Sequence, residues 1–329
     1  MTNVFADYHH GGLTKSLEFL FEKRLGYSLY RPVGLEWFPE RWKIAAPYDD
    51  DIRTATQYLS LRGNEPVGDH YEFDGMKGLS LEQFKAMDID IVIASIPDHL
   101  PVYRKLIDDF HPKAKLIFQM GNEFSVDFSL AKNILSSTAK FDVPSDVNAV
   151  FYHQEFDLKE FSYTPPKESN LVRSFVHCLG QGENHFAKDW TDFKTLEKAL
   201  PELKFESYGS LCRDGIVSKG MAERIRECKL GVMFKDGGDG FGHAIHQWFA
   251  MGRPPIVKKS QYKGKLAEEL MTKDTCIDFD EGVEKCVERL KMSQEEYLKM
   301  CNNAHKIFIE KVDFDKEAET IRQFLDRLV

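Results

Sequence analysis

Apolar positions along this chain follow two rhythms that take turns. "NVFADY" opens as a short apolar strand, "HHGG" follows, and "LTKSLEFLFEKRLG" places Leu13, Leu17, Leu20, Phe21 and Leu25 at helical spacing. "YSLYRP" and "WKIAAPY" read as strand or loop. "DIDIVIAS" is a continuous apolar run with polar flanks, the pattern of a strand buried on both faces, and "AKLIFQMG" is another. Between them "PVYRKLIDDFHP" reads as a helix that stops at proline. Strand, helix and strand in alternation predict an α/β chain with doubly wound parallel sheets.

The segment "VFYHQEFDLKEFSYTPPKES" interrupts the alternation and predicts a linker near 153–169. The rhythm then resumes. "LVRSFVHCLG", "KFESYG" and "LGVMFK" read as strands, with "DFKTLEKAL" and "GMAERIRECK" as the helices between them. Two further helices, "SQEEYLKMCNNAHKIFIEKV" and "DKEAETIRQFLDRLV", close the chain. With 329 residues, two similar domains are expected rather than one core. The boundaries are an amino-terminal domain at 1–155, a second at 156–311 and a last helix at 312–329 that crosses back to the first.

Composition narrows the functional classes. The net charge of -9 disfavours a broad polyanion-binding surface. No apolar run is long enough to span a membrane, and the start lacks a signal-peptide pattern, so a cytoplasmic protein is expected. The six cysteines, at 178, 212, 228, 276, 286 and 301, form no CxxC pair, so they read as reduced side chains without a metal role.

The chemistry concentrates in "DGGDGFGHAIHQWFAMGRPPIV", residues 236 to 257. "HAIHQWFAMG" is a helix with Gly252 as its cap and Pro254 and Pro255 beyond it. Gly240 and Gly242 then fall on a strand-to-helix turn, where α/β sheets bind ligands. Bare backbone N–H groups and the positive helix end there favour a phosphate or a sugar hydroxyl. On a helix starting near His243, Gln247 projects beside it at i+4, while Ile245, Trp248 and Phe249 face the core. "HAIH" has a metal-like spacing without an evident third ligand.

Here a resemblance becomes specific. Asp239, Gly240, Phe241, Gly242, Gln247, Ala250, Gly252 and Pro254 stand in register with the E-x7-E region of retaining glycosyltransferases of the GT-B fold, family four especially. The resemblance implies two Rossmann-like domains with an interdomain cleft, nucleotide-sugar chemistry, retention of configuration, and no cofactor or essential metal. It implies that Asp239 contacts the transferred sugar and that Gln247, in place of a carboxylate, binds the nucleotide ribose. His243 and Ala244 replace the family's usual Leu and Pro.

At "CLGQGENHFAK", Gly180 is followed by Gln181 where the family has arginine. Lys188 remains as the cation for the diphosphate, with Arg173 or Lys235 as substitutes. "HQEFDLKEFSYTPP" is similar to the family's crossover through Asp157, Phe161 and, loosely, Pro165. The resemblance covers roughly 145–329 in detail and 1–144 in architecture only.

In the first half, Gly11 and Gly12 mark the first strand-to-helix turn, where such enzymes place a glycine loop. His10 is taken as catalytic there, and Gly11 and Gly12 join the donor-binding group. His9, Asp98, His99 and Asn122 lie at strand ends and are taken as acceptor-binding. "YDDD" at 48–51 is expected to be a solvated loop, and "LRGNEPVGDHYEFDG" a variable acceptor loop or a surface excursion. "KKSQYKGK" at 258–265, with Arg253 nearby, is expected to be a solvated basic face or, alternatively, a contact for an anionic acceptor, nucleotide or nucleic acid.

The expected activity is hexosyl or pentosyl transfer from a nucleotide-sugar to an unidentified acceptor: a glycan, a small molecule or a modified DNA base. The alternatives are a phage-type DNA glycosyltransferase, or a nucleotide-sugar epimerase or non-catalytic binder on the same fold.

Overall fold

The structure, a computed structural model, describes residues 1–7, 11–33, 37, 67–73, 76–121, 127–138, 140–176, 179, 186–209, 212–215, 220–236 and 243–328. Its strands are β1 (Asn3–Asp7), β2 (Ser28–Pro32), β3 (Tyr71–Phe73), β4 (Met76–Leu79), β5 (Ile91–Ala94), β6 (Lys115–Met120), β7 (Asn133–Ser136), β8 (Asn148–Phe151), β9 (Leu171–Ser174), β10 (Lys204–Ser207), β11 (Leu230–Met233), β12 (Pro255–Val257) and β13 (Ile277–Asp278). The α-helices are α1 (Gly11–Leu17), α2 (Leu81–Ala86), α3 (Leu100–Phe110), α4 (Ala187–Ala199), α5 (Met221–Arg226), α6 (His243–Ala250), α7 (Val283–Leu290), α8 (Gln294–Lys311) and α9 (Phe314–Leu328).

The chain divides into two compact units. Unit 1 is Met1–Ser137, Phe141–Glu155 and Phe314–Val329; unit 2 is Thr138–Lys140 and Phe156–Asp313.

Unit 1 is built on an eight-stranded sheet ordered β3-β4-β2-β1-β5-β6-β7-β8. Every pairing is parallel except β3 with β4 at one edge. From β1 the chain steps outward to β2 and β4, then returns to β5 on the other side and steps outward again. The winding therefore reverses between β1 and β5. At such a reversal the connections leave in opposite directions and open a crevice beyond the carboxyl ends of both strands.

Sequence periodicity explains the first layer. Leu13, Leu17, Leu20, Phe21 and Leu25 are all buried on α1 and its π-helical continuation Glu18–Arg24. Leu25 N donates to Leu20 O, five residues back, at 3.0 Å. Phe5 packs against Trp37 at 4.9 Å and Phe84 at 4.7 Å between ring centroids, forming an aromatic centre to the core. α2 starts at a capping box in which Ser80 and Gln83 satisfy each other's backbone N–H groups.

The last helix, α9, buries Ala318, Ile321 and Phe324 in unit 1 and packs against β8. Its Glu317 accepts from His153 N at 2.9 Å and from His153 Nδ1 at 2.6 Å. Arg24 clamps Glu155 with two hydrogen bonds of 2.5 and 2.6 Å and also pairs with Asp315.

Three expectations change. The stretch read as a linker near 153–169 begins as packed structure, with Tyr152 through Phe156 buried and Phe161 buried in turn. Its aromatic residues serve a core, which its polar residues obscured. Part of "LRGNEPVGDHYEFDG" supplies the edge strand β3 rather than only loop. The "KKSQYKGK" segment is not uniformly solvated, since Lys258 and Tyr262 are buried.

Unit 2 has a five-stranded, all-parallel sheet ordered β10-β9-β11-β12-β13. Here the winding reverses between β9 and β11. Two glycines set the position of α6 over this sheet. A Cβ at Gly231 on β11 would sit 2.7 Å from the Trp248 indole, so only glycine lets α6 approach so closely. Gly252 ends α6 with φ of 63°, and a Cβ there would lie 2.6 Å from the Tyr163 ring. Gly252 N donates to Phe249 O (2.9 Å) and Arg253 N to Trp248 O (2.9 Å), the paired bonds of a Schellman cap.

Candidate functional site

Topology selects the strand ends to inspect: β1 and β5 in unit 1, and β9 and β11 in unit 2. The segments singled out in the sequence follow these strands. His9, His10, Asn122, Gly180, Gln181, Asp239, Gly240, Phe241 and Gly242 lie outside the described residues. The described residues around them define the surroundings.

At the unit 2 reversal, His243 is the first residue of α6 and Gln247 lies one turn in. Ile245, Trp248 and Phe249 are fully buried, as the helical pattern requires. The His243 ring lies 6.2 Å from Phe156. Gln247 is buried to 5% exposure, and its Oε1 has no hydrogen-bond partner among the described residues. A buried, unpaired carbonyl costs stability unless a ligand or a neighbour satisfies it.

The start of the glycine loop is held by a residue the sequence did not flag. Asp189, in the first turn of α4, is buried. Its Oδ2 accepts from Asp236 N at 2.7 Å. Its Oδ1 accepts from Lys258 Nζ at 2.6 Å and Gln261 Nε2 at 2.8 Å. Lys258 also pairs with Asp192 at 2.6 Å. Burial pulls the Lys258 ammonium's pKa down, but the two aspartates outweigh it and raise it above the ordinary lysine value. One buried carboxylate thus ties the helix after β9 to the loop after β11.

The three candidate cations separate. Lys188, beside Asp189, is exposed. Arg173 is committed elsewhere: its guanidinium holds Glu206 at 2.6 Å, Glu227 at 2.7 Å and the Arg224 carbonyl at 2.8 Å. Lys235 follows β11, and its backbone N–H donates to Gln261 Oε1 at 2.8 Å. Lys265 joins it electrostatically: burial first, and the charge of Lys235 second, hold the Lys265 ammonium below the ordinary lysine range. Arg253, expected near a solvated face, is buried and donates to the carbonyls of Thr164 (3.0 Å), Met251 (2.9 Å) and Arg226 (3.2 Å).

At the unit 1 reversal, Gly11 and Gly12 open α1 itself rather than a preceding loop. Asp98 is exposed on the short 3-10 turn after β5, and His99 beside it is buried. His99 Nδ1 donates to Asp7 Oδ2 at 2.5 Å, with both side chains withdrawn from solvent. Asp7 is the last residue of β1, and its carbonyl accepts from Ser95 N (3.1 Å) and Ser95 Oγ (2.8 Å). The sequence reading missed Asp7; its signal was a lone carboxylate ending an otherwise apolar strand.

Among the described residues no cluster of His, Cys, Asp and Glu is arranged to hold a metal ion. No helix among them is long and apolar enough to cross a membrane. Of the cysteines described, Cys212 is half-buried and the rest are buried; burial raises the thiols of Cys228 and Cys276 to about 12.

No family model matches the chain, and no curated protein matches it by sequence. Solved structures do match in fold. The Anabaena protein HepE, solved with UDP and glucose, superposes with a TM-score of 0.65 at 11% identity, over 99% of this chain and 100% of its own. A glycosyltransferase from Rickettsia africae gives 0.63 at 11% identity, over 99% and 98%. The amino-terminal domain of trehalose-6-phosphate phosphatase from Candida albicans gives 0.58 at 11% identity, over 100% and 97%. The chain is thus an α/β protein of the GT-B architecture, as its sequence led us to expect. At this identity the likeness establishes fold, and activity has to be argued from the site.

Proposed function

We propose that the chain is a glycosyltransferase that moves a hexosyl or pentosyl group from a nucleotide-sugar to a hydroxyl acceptor. The carrying observation is Gln247: a buried carbonyl oxygen, unpaired among the described residues, one turn into the helix that follows the unit 2 reversal. That is where a ribose hydroxyl would donate to it. The D-G-F-G register just ahead supports Asp239 as the contact to the sugar. Lys188, exposed in the first turn of α4, would meet the diphosphate.

Retention of configuration and independence from metal come with the family resemblance. In that route the departing phosphate oxygen takes the acceptor's proton, and no nucleophilic side chain is required. HepE is also solved with UDP-glucose, and UDP-linked hexoses are therefore the first donors to try. A DNA acceptor is disfavoured by the net charge of -9 and by the burial of Lys258 in the basic segment. The acceptor class is otherwise open to a glycan or a small molecule.

Thermal shift against UDP, GDP, ADP, CDP and TDP, then their sugar conjugates, tests the reading. A true donor at a hundred times its Kd adds about 2.7 kcal/mol of stability. Transfer to an acceptor, with EDTA present and the product anomer matching the donor, is the expected result. Conversion of the donor without acceptor would mark an epimerase, and no shift with any nucleotide would overturn the proposal.

A further inference from the structure

Unit 2 has a cavity of about 520 Å³ beside Ile277 and Asp278 of β13. β13 is the edge strand of its sheet, with β12 between it and β11, so the cavity is set apart from the β9–β11 reversal. A space of this size accommodates a small organic molecule. Its walls are charged. Lys259, Lys273, Lys285, Arg289 and Lys291 line it from four separate places: the turn after β12, the turn before β13, α7 and the residue beyond α7.

Some of these groups are engaged locally. Lys285 pairs with Glu288 at 3.2 Å along α7. The Arg289 guanidinium donates to the Lys273 carbonyl at 2.8 Å. Of the lining carboxylates, Asp278 accepts from Lys259 N at 3.3 Å and Asp280 N at 3.1 Å. Glu296 accepts from Ser293 N at 2.7 Å and Ser293 Oγ at 2.9 Å. Among the described residues no ion pair joins Lys259, Lys273 or Lys291 to a carboxylate, and Glu281 is the lining carboxylate without a hydrogen bond. Three ammonium groups therefore share one concavity with little to offset them, an arrangement that costs free energy until an anion enters. Arg289 and Lys291 complement the negative end of α7. That reason does not extend to Lys259 and Lys273, which come from other segments.

We propose that this cavity binds a small polyhydroxylated phosphomonoester. Lys259, Lys273 and Lys291, together with Arg289, supply the cations for the phosphate, which carries about −1.5 to −2 charge at pH 7. The carboxylates of Asp278 and Glu281 accept from the hydroxyls of the ester's body, which gives acidic groups a role in an anion site. The site is distinct from the nucleotide-sugar site proposed above, and either can hold without the other.

Isothermal titration calorimetry on the full-length protein tests the site with glucose 6-phosphate, and with inorganic phosphate and glucose as its two halves. Glucose 6-phosphate should bind more tightly than either half. In Lys273→Gln/Lys291→Gln its affinity should fall at least about tenfold, as two charge-assisted contacts are lost. Both side chains are exposed, so the melting temperature without ligand should stay as in wild type. Lys299→Gln/Lys311→Gln removes the same charge from exposed positions on α8 outside the cavity and should bind as wild type does. The thermal shift produced by UDP reports the other site and should be the same in all three proteins.

No binding of glucose 6-phosphate to wild type, or equal affinity in Lys273→Gln/Lys291→Gln, would overturn the proposal. Equal losses in both double variants would reduce the effect to general charge attraction and overturn it as well. Inorganic phosphate binding as tightly as the ester would overturn the role given to Asp278 and Glu281.

Discussion

The two sheets reverse their winding once each, and the chain treats the two reversals in opposite ways. At β1 and β5 it places a buried carboxylate and an imidazole that satisfy one another at 2.5 Å. At β9 and β11 it places glycines before a helix, with a glutamine whose carbonyl lacks a partner among the described residues. The first arrangement joins two buried side chains by a short hydrogen bond; in the second, a buried carbonyl has no partner among the described residues. A buried acceptor without a partner among the described residues suits a ligand that brings its own hydroxyls.

Variants can break or sharpen that contrast. The largest effect is expected at the unit 2 reversal. Asp239→Ala should lower kcat on the order of 10²–10³-fold, as loss of one transition-state contact does, with circular dichroism unchanged. Turnover equal to wild type would remove Asp239 from the sugar site.

Next comes the anchor beneath it. Asp189→Ala strips the Lys258 ammonium of one of its two carboxylates and removes the hydrogen bond from Asp236 N. A loss of about 2–3 kcal/mol in denaturant unfolding is expected, short of a fully broken buried pair because Asp192 remains. Gly231→Ala presses a methyl to 2.7 Å from the Trp248 ring and should cost about 1–3 kcal/mol by overpacking, read as a lower melting temperature.

A smaller, pH-dependent effect belongs to Glu206. Burial raises its carboxyl pKa, but Lys204, Arg173 and Tyr208 outweigh burial and bring it to about 2 from 4.5. A depressed carboxyl stabilises the fold above its unfolded value. That contribution should fade as pH falls from about 4.5 toward 2, and Glu206→Gln should flatten stability across this window. The smallest expected change is Gln247→Met. Removing an unpaired buried carbonyl should leave the apoprotein within about 1 kcal/mol of wild type. Donor affinity should nonetheless drop about tenfold, the loss of one hydrogen bond. A stability loss well beyond that, with affinity intact, would make Gln247 a core residue.

Much of the architecture was legible because burial on a sheet leaves a periodic trace. "DIDIVIAS" and "AKLIFQMG" became β5 and β6, and the Gly252 stop of α6 could be read before its positive φ was known. Short strands such as β7 and β8 left no such trace, because four residues with polar flanks carry too little pattern. The packed stretch from Tyr152 to Phe156 was hidden for a related reason: its polar members His153 and Glu155 pair with Glu317 and Arg24, which lie far away in sequence.

The same limit governed the sites. The segment "DGGDGFGHAIHQ" drew notice as a candidate, since glycines before a helix form a local pattern. Asp7, Asp189 and the commitment of Arg173 to Glu206 did not. Sequence alone determined the alternation of strands and helices and the end of α6, because each depends on neighbours within a few residues. Only the tertiary structure decided which carboxylate meets which cation or imidazole. A partner 92 residues away, as for Asp7 and His99, is chosen by which strands lie side by side, and local sequence carries no record of that choice.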